Sequence, residues 1–212
     1  MKAVIFDMDG VIINSEPFWK KAEKEVFTSL GVQVTDEFAK ITARMTTTEV
    51  TRFWFEKYPW KMTPFEEVEQ MVVSKVITSI KKEGREIPGI HKFMAFLKQE
   101  KFKLGLATNS PYSIIPAVLE KIGLTNTFDV IVSAEFETKG KPDPAVYLTT
   151  SQKLNINPKN CFVIEDSCSG MQAAKTAGMK VIAFTNENKN IYLPSVNYKI
   201  DSFQDPDFSI FI

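Results

Sequence analysis

The chain has 212 residues, 44% of them hydrophobic, and its 26 Lys+Arg balance 26 Asp+Glu, so the formal net charge is zero. That balance argues against a nucleic-acid or acidic-membrane partner, which ordinarily needs a basic stripe. No apolar run is long enough to cross a bilayer, and the length suits one core domain plus a small satellite.

The N-terminus reads as a strand, without the basic region and cleavage site of a signal peptide. The two cysteines, Cys161 and Cys168, are too few and wrongly spaced for a zinc site or a disulfide framework. Reduced thiols in a cytoplasmic protein are the expectation.

The first strand is Val4-Ile5-Phe6, a continuous apolar run of the kind buried on both faces of a parallel sheet. It ends in Asp7-Met8-Asp9-Gly10. Carboxylates are costly to bury, so the strand has to deliver them to a polar mouth at its carboxyl end. Two such charges repel, and keeping both ionised calls for a cation.

From about residue 15 to 84 the pattern is helical. Ser15 or Asn14 caps a helix from about Pro17 to Leu30, with Phe18, Ala22, Val26 and Leu30 on one face. Thr46-Thr47-Thr48-Glu49 is a capping-box start, with Val50, Phe53 and Trp54 inward. Thr63-Pro64-Phe65-Glu66 starts a third helix, which runs to about Lys82.

Beyond this block, helices and strands alternate. Helices are expected from Ile87 to Lys98, Ser113 to Lys121, Ala145 to Leu154 and Gly170 to Ala177. Strands are expected at 103–107, 128–132, 161–164 and 180–184. Short links between such elements predict a Rossmann-like parallel sheet with helices on both faces. The expected organisation is a core of residues 1–14 and 85–212 with an all-helical cap of residues 15–84 inserted after the first strand. A cap so placed lies over the strand ends, where it can exclude water.

The strand ends then gather Asp7 and Asp9, Thr108 and Asn109, Lys141, and Glu165 and Asp166 on one edge. Carboxylates suit Mg²⁺, which prefers oxygen ligands in an octahedron. The reading gives Asp7 and Asp166, with a backbone carbonyl beside Asp9, as the protein's share, and Glu165 as a further candidate. Thr108, Asn109 and Lys141 suit the oxygens of a phosphoryl group, whose transfer needs electrostatic clamping. One carboxylate, Asp7, can attack phosphorus. The other, Asp9, can protonate the departing alcohol and then activate water.

Asp7-Met8-Asp9-Gly10, Thr108-Asn109-Ser110, Lys141-Pro142-Asp143-Pro144 and Glu165-Asp166-Ser167 follow one another in this order. This set resembles the four motifs of the haloacid dehalogenase-like hydrolase superfamily, β-phosphoglucomutase-like subgroup, whose cap falls after the first motif. The resemblance implies Asp7 as nucleophile, Asp9 as general acid and base, and Mg²⁺ held with Asp166. The stretch from Asp9 to Trp19, with Tyr58-Pro59-Trp60, is similar to phosphatases of 2-deoxyglucose 6-phosphate and hexitol phosphates. It implies a Mg²⁺-dependent phosphatase acting on a small phosphate monoester.

The same core also serves phosphomutases, and a non-catalytic phosphometabolite sensor is a third reading. Only catalysis needs both Asp7 and Asp9, which disfavours the sensor. In the mutases a histidine on the first cap helix and an arginine in a following turn keep water off the intermediate. Here Trp19 aligns with that histidine, and the turn reads Thr42-Ala43-Arg44-Met45-Thr46. Glu16, Trp19 and Arg44 are the cap residues expected to face substrate. Phe53 and Trp54 are expected in the cap core, and Cys168 as a packing residue. His91, the one histidine, and Lys139 are read as solvated. Oligomeric state is left open.

Overall fold

The computed structural model describes residues 1–42, 45–187 and 196–211. Among these, six strands form one parallel sheet: β1 (Ala3–Phe6), β2 (Lys103–Thr108), β3 (Val130–Ser133), β4 (Cys161–Glu165), β5 (Lys180–Phe184) and β6 (Tyr198–Ile200). Their spatial order is β3-β2-β1-β4-β5-β6. β1 is therefore central, with Val4 level with Leu104 of β2 on one side and Phe162 of β4 on the other. The strand order reverses at β1, and a parallel sheet opens a crevice at the carboxyl ends of its strands at such a point.

Four helices lie between β1 and the rest of the sheet in sequence: α1 (Glu16–Ser29), α2 (Asp36–Thr42), α3 (Thr47–Lys57) and α4 (Phe65–Glu83). Four more accompany the strands: α5 (Ile90–Gln99), α6 (Ile115–Lys121), α7 (Ala145–Leu154) and α8 (Cys168–Thr176). β1 sends alternate side chains to opposite faces. Val4 and Phe6 join Phe93 and Leu97 of α5 and Ile115 and Val118 of α6. Ala3 and Ile5 join Val146 and Leu154 of α7 and Met171 and Ala174 of α8. A strand covered on both sides must be apolar throughout, which is why it reads as an unbroken run. The expected parallel α/β sheet with helices on both faces is the observed fold.

Within the insertion, α1 and α3 both pack on α4. The stripe Val68, Val72, Val76 and Ile80 is buried there. Trp54 is buried too, with its ring among those of Phe27, Phe38, Phe53 and Tyr58. Its indole N–H has no hydrogen-bond partner among the described residues. α4 also touches α6, so the apolar cluster of the insertion runs unbroken into the core past Ile12, Ile13 and Ile87.

The chain crosses between insertion and core twice, and the two crossings pair. Asn14 N–H donates to Arg85 O (3.4 Å), Ile87 N–H to Ile12 O (3.0 Å), and Ile13 bridges Glu86 in antiparallel fashion. The result is a short two-stranded ribbon.

Several local expectations shift. α2 and β6, too short for a clear periodicity, were not anticipated from the sequence. α4 starts at Phe65 with Pro64 as its cap and no side-chain capping bond, so Thr63 does not cap it. Ser15 stands at the N-cap of α1 but makes no capping bond; its hydroxyl is used elsewhere, as described below. α8 begins at Cys168, capped by Ser167 Oγ, which accepts from Gly170 N–H at 3.1 Å. His91 is half-exposed but engaged, its Nε2 lying 2.8 Å from Glu86 Oε2 and 2.9 Å from Ile122 O.

The capping box of α3 forms as expected: Thr46 Oγ1 accepts from Glu49 N–H (3.3 Å) and Glu49 Oε2 accepts from Thr46 N–H (2.7 Å). Thr46→Ala should therefore destabilise the protein by about 1 kcal/mol, read as a lower midpoint in urea denaturation.

Candidate active site

Asp7 follows the last residue of β1, and its N–H still donates to Ile164 O of β4 (3.0 Å). The strand register thus carries it to the crevice with only 7% of its surface exposed. Lys141 reaches it from the loop before α7. The three protons of the Lys141 ammonium have three acceptors: Asp7 Oδ1 (2.6 Å), Glu165 Oε1 (2.7 Å) and Ala107 O (3.0 Å). One ammonium thereby ties together the ends of β1, β4 and β2. The ring of Tyr147 lies 4.8 Å from it. Lys139, by contrast, is exposed.

Glu165 is fully buried and saturated. Oε1 accepts from Lys141 and from the Tyr147 hydroxyl (2.6 Å). Oε2 accepts from Ser167 N–H (3.1 Å) and Ser167 Oγ (2.9 Å). The first turn of α8 closes over it: a Cβ on Gly170 would lie 1.7 Å from Glu165 Oε1. Asp166, next along, lies against Gly10, whose φ of +81° favours glycine and whose Cβ position lies 2.0 Å from Asp166 Oδ2.

The carboxylates of Asp7, Glu165 and Asp166 have oxygens within 4.8 Å of one another. Burial pushes the Asp7 carboxyl up to about 8; Lys141 pulls it down, while Glu165 and Asp9 add to the rise. Burial likewise pushes Asp166 well above the carboxylate range, reinforced by Glu165 and Asp7. Burial alone would lower the Lys141 ammonium, but Asp7 and Glu165 outweigh it and hold it above its ordinary value. Three carboxylates thus face one ammonium in a dry site. Holding all three ionised calls for more positive charge than one ammonium supplies; a divalent cation would provide it, and Asp7 and Asp166 have oxygens to give it.

Asp9 stands apart. Its Oδ1 accepts from Ser15 Oγ and from Trp19 Nε1 (3.2 Å), both contributed by the chain around the start of α1. Its Oδ2 accepts from Ser110 Oγ (2.6 Å), which follows β2. The sequence reading brings Asp9 to the metal through the backbone carbonyl beside it; its carboxylate is engaged separately by these hydroxyl and indole donors, outside the three-carboxylate cluster.

Thr108 ends β2, and its Oγ1 accepts from Ser110 N–H (3.0 Å). Asn109 Oδ1 accepts from Lys141 N–H (2.9 Å), joining the β2 loop to the loop of the lysine. A Cβ on Gly140 would lie 2.6 Å from Thr46 Cγ2, so the start of α3 approaches this loop. The Glu16 side chain is 68% exposed and pairs with Lys20 one turn on, at 3.1 Å. Arg44 lies outside the described residues.

Four further contributors emerge. Ser110 was visible as the third letter of its motif, though not as a partner of Asp9. Gly170 had a faint signal, three residues after Ser167. Ser15 was read only as a helix cap. Tyr147 had none, since an aromatic on the buried side of a helix looks like core.

Residues 4–184 match the family described as haloacid dehalogenase-like hydrolase. The chain belongs to that family. It is 36% identical over 182 residues to hexitol phosphatase B of Escherichia coli (strain K12), covering 85% of this chain and 82% of the relative. It is 34% identical over 184 residues to the phosphorylated carbohydrates phosphatase of Thermotoga maritima, covering 86% and 84%. The β-phosphoglucomutase structure from Clostridium difficile superposes with a TM-score of 0.83 at 25% identity, covering 99% of this chain and 95% of that one. This haloacid dehalogenase-like hydrolase is an enzyme of the phosphatase kind, in the β-phosphoglucomutase-like subgroup.

Removing the shared cation strands two buried carboxylates. Lys141→Ala in this hydrolase should lose about 3–5 kcal/mol of stability, the usual cost of breaking a buried pair from one side. Chemical denaturation measures it.

Proposed function

We propose that this hydrolase is a Mg²⁺-dependent phosphatase of sugar or polyol phosphates that works through an aspartyl phosphate. One observation carries the reading. Asp7 and Asp9, two residues apart, have separate surroundings: Asp7 is held by Lys141 amid carboxylates, Asp9 by neutral donors alone. A nucleophile and a proton carrier need that difference.

Asp7 and Asp166 are the residues to hold the metal. Glu165, with four donors on its two oxygens, positions Lys141 instead. When bound, Mg²⁺ supplies charge neutralisation at the phosphoryl oxygens. Lys141, Thr108 and Asn109 orient the phosphoryl group. Asp7 forms a bond to phosphorus as the ester oxygen leaves, and Asp9 gives that oxygen its proton. Asp9, now a carboxylate, takes a proton from water as the water attacks phosphorus. The phosphate departs and Asp7 is regenerated. The helical insertion, residues 15–84, acts as a cap on a core of residues 1–14 and 85–212, and excludes bulk water while these steps proceed. The names of the hexitol and carbohydrate phosphatases favour a polyhydroxylated alcohol, and we place the reaction in the cytoplasm.

The likeness to β-phosphoglucomutase raises the mutase reading. Trp19 opposes it. It donates to Asp9 from the place where the mutases are understood to carry a histidine, and an indole N–H is a donor only, with no acceptor nitrogen to take up a proton at neutral pH. The discriminating experiment is phosphorus NMR of the enzyme with β-glucose 1-phosphate, a trace of the bisphosphate and Mg²⁺. Inorganic phosphate should accumulate. Glucose 6-phosphate building up faster would overturn the phosphatase assignment.

Asp7→Asn should lower hexitol phosphate turnover by at least about 10⁴-fold, on the scale of losses seen when a nucleophile is removed, with an unchanged circular dichroism spectrum. Exhaustive chelation should abolish phosphate release from the wild-type enzyme, and added Mg²⁺ should restore it.

A further inference from the structure

The inner face of α1 carries one residue that packing does not explain. At 100° per residue, Ala22, Val26, Trp19, Glu23 and Phe27 share one arc of the helix. Ala22, Val26 and Phe27 are buried, as such an arc requires. Trp19 sits one turn before Glu23 and donates to Asp9. Phe27 sits one turn after it, with its ring 6.0 Å from Trp54 and 6.1 Å from Trp60. Glu23 thus lies between the reacting edge and the aromatic core of the insertion, where leucine would serve packing better.

The carboxylate is unused by the fold. Among the described residues Glu23 has no hydrogen-bond or ion-pair partner, whereas its neighbour Glu25 pairs with Lys75 at 2.8 Å. Glu23 is only partly accessible to water, and burial pushes its carboxyl up to about 7. An acceptor shielded from bulk but still reached by water, with no donor from the protein, is open to donors from a ligand. Side chains one helical turn apart have Cβ atoms about 5–6 Å apart. A substrate chain of several carbons that runs from Asp9 along α1 would meet Glu23 one turn beyond Trp19.

We propose that Glu23 reads the substrate's alcohol portion, its carboxylate accepting hydrogen bonds from neighbouring hydroxyls of the leaving polyol. The inference rests on the phosphatase reading above and names the residue that would set its preference for hydroxylated alcohols. A carboxylate suits that task because its two oxygens can accept from two adjacent hydroxyls, and an analogue lacking them leaves it unpaired.

The test compares glucitol 6-phosphate with ethyl phosphate, which has the same reacting ester and no hydroxyls. In Glu23→Ala and Glu23→Leu, the ratio of kcat/KM for glucitol 6-phosphate to that for ethyl phosphate should fall about tenfold or more. Glu23→Gln, which keeps an acceptor, should retain the ratio within about threefold. The Tm of Glu23→Leu should equal or exceed that of wild type, since an unpaired carboxylate is being removed. A ratio unmoved in the Ala and Leu variants would overturn the proposal, as would proportional loss on both esters with a lowered Tm. If wild type released phosphate from neither ester, the phosphatase reading would fail instead. Calorimetric titration with glucitol 6-phosphate and with inorganic phosphate then decides on Glu23. Weaker binding of the hexitol phosphate alone in Glu23→Ala supports it; equal binding overturns it.

Discussion

The Lys141 ammonium is the constraint around which the site is assembled. A buried charge is tolerated only with partners on every proton, and here each proton has one: Asp7, Glu165 and the carbonyl of Ala107. That requirement propagates outward. Glu165 must be buried beside it, so its other lone pairs need donors, which Tyr147 and Ser167 provide. The first turn of α8 must come down on that carboxylate, so residue 170 has no room for a side chain. The lysine loop must be fixed, and Asn109 fixes it through the Lys141 N–H. The cluster gives up stability relative to an apolar core of the same volume, and in return holds charges in place before substrate arrives.

Two aspartates on one short turn are kept distinct by which parts of the molecule surround them. Asp7 belongs to the sheet: its contacts come from β4 and from the loop before α7. Asp9 belongs half to the sheet, through Ser110, and half to the insertion, through Ser15 and Trp19. The first environment is charged and dry, the second polar and neutral. Met8 between them is fully buried, so the two carboxylates depart from the turn with an anchored side chain separating them.

The sheet and the strand-end residues were legible because each rests on a local rule. Unbroken apolar runs mark doubly covered strands, and parallel strands end on one edge, so Asp7, Thr108, Lys141 and Asp166 could be grouped without coordinates. What escaped depends on packing between distant segments. Tyr147 is indistinguishable from core until Glu165 is placed beneath it. Ser15 carries the signal of a helix cap, and only the nearness of Asp9 diverts its hydroxyl. Glu16, expected to face substrate, has its side chain in water and paired with Lys20 one turn on, a pairing that depends on spacing along α1 rather than on the strand ends. α2 and β6 are too short for periodicity to speak.

The paired crossings between insertion and core have a mechanical meaning. A single linker would leave the helices held to the core by packing alone; two linkers hydrogen-bonded as a ribbon would restrict any opening to bending across the ribbon. The ribbon also begins at Asp9, since Gly10 N–H donates to Ile13 O (2.8 Å) and Asp9 bridges Ile13. Bending there would carry Ser15 and Trp19 with α1 while Ser110 stayed with the sheet. Asp9 would keep one of its three donors when the helices swung out and regain the others when they returned. The same small angle that lets solvent reach the crevice would thus loosen Asp9, so under the proposed mechanism flooding of the site and readiness for proton transfer would fall at opposite ends of one stroke.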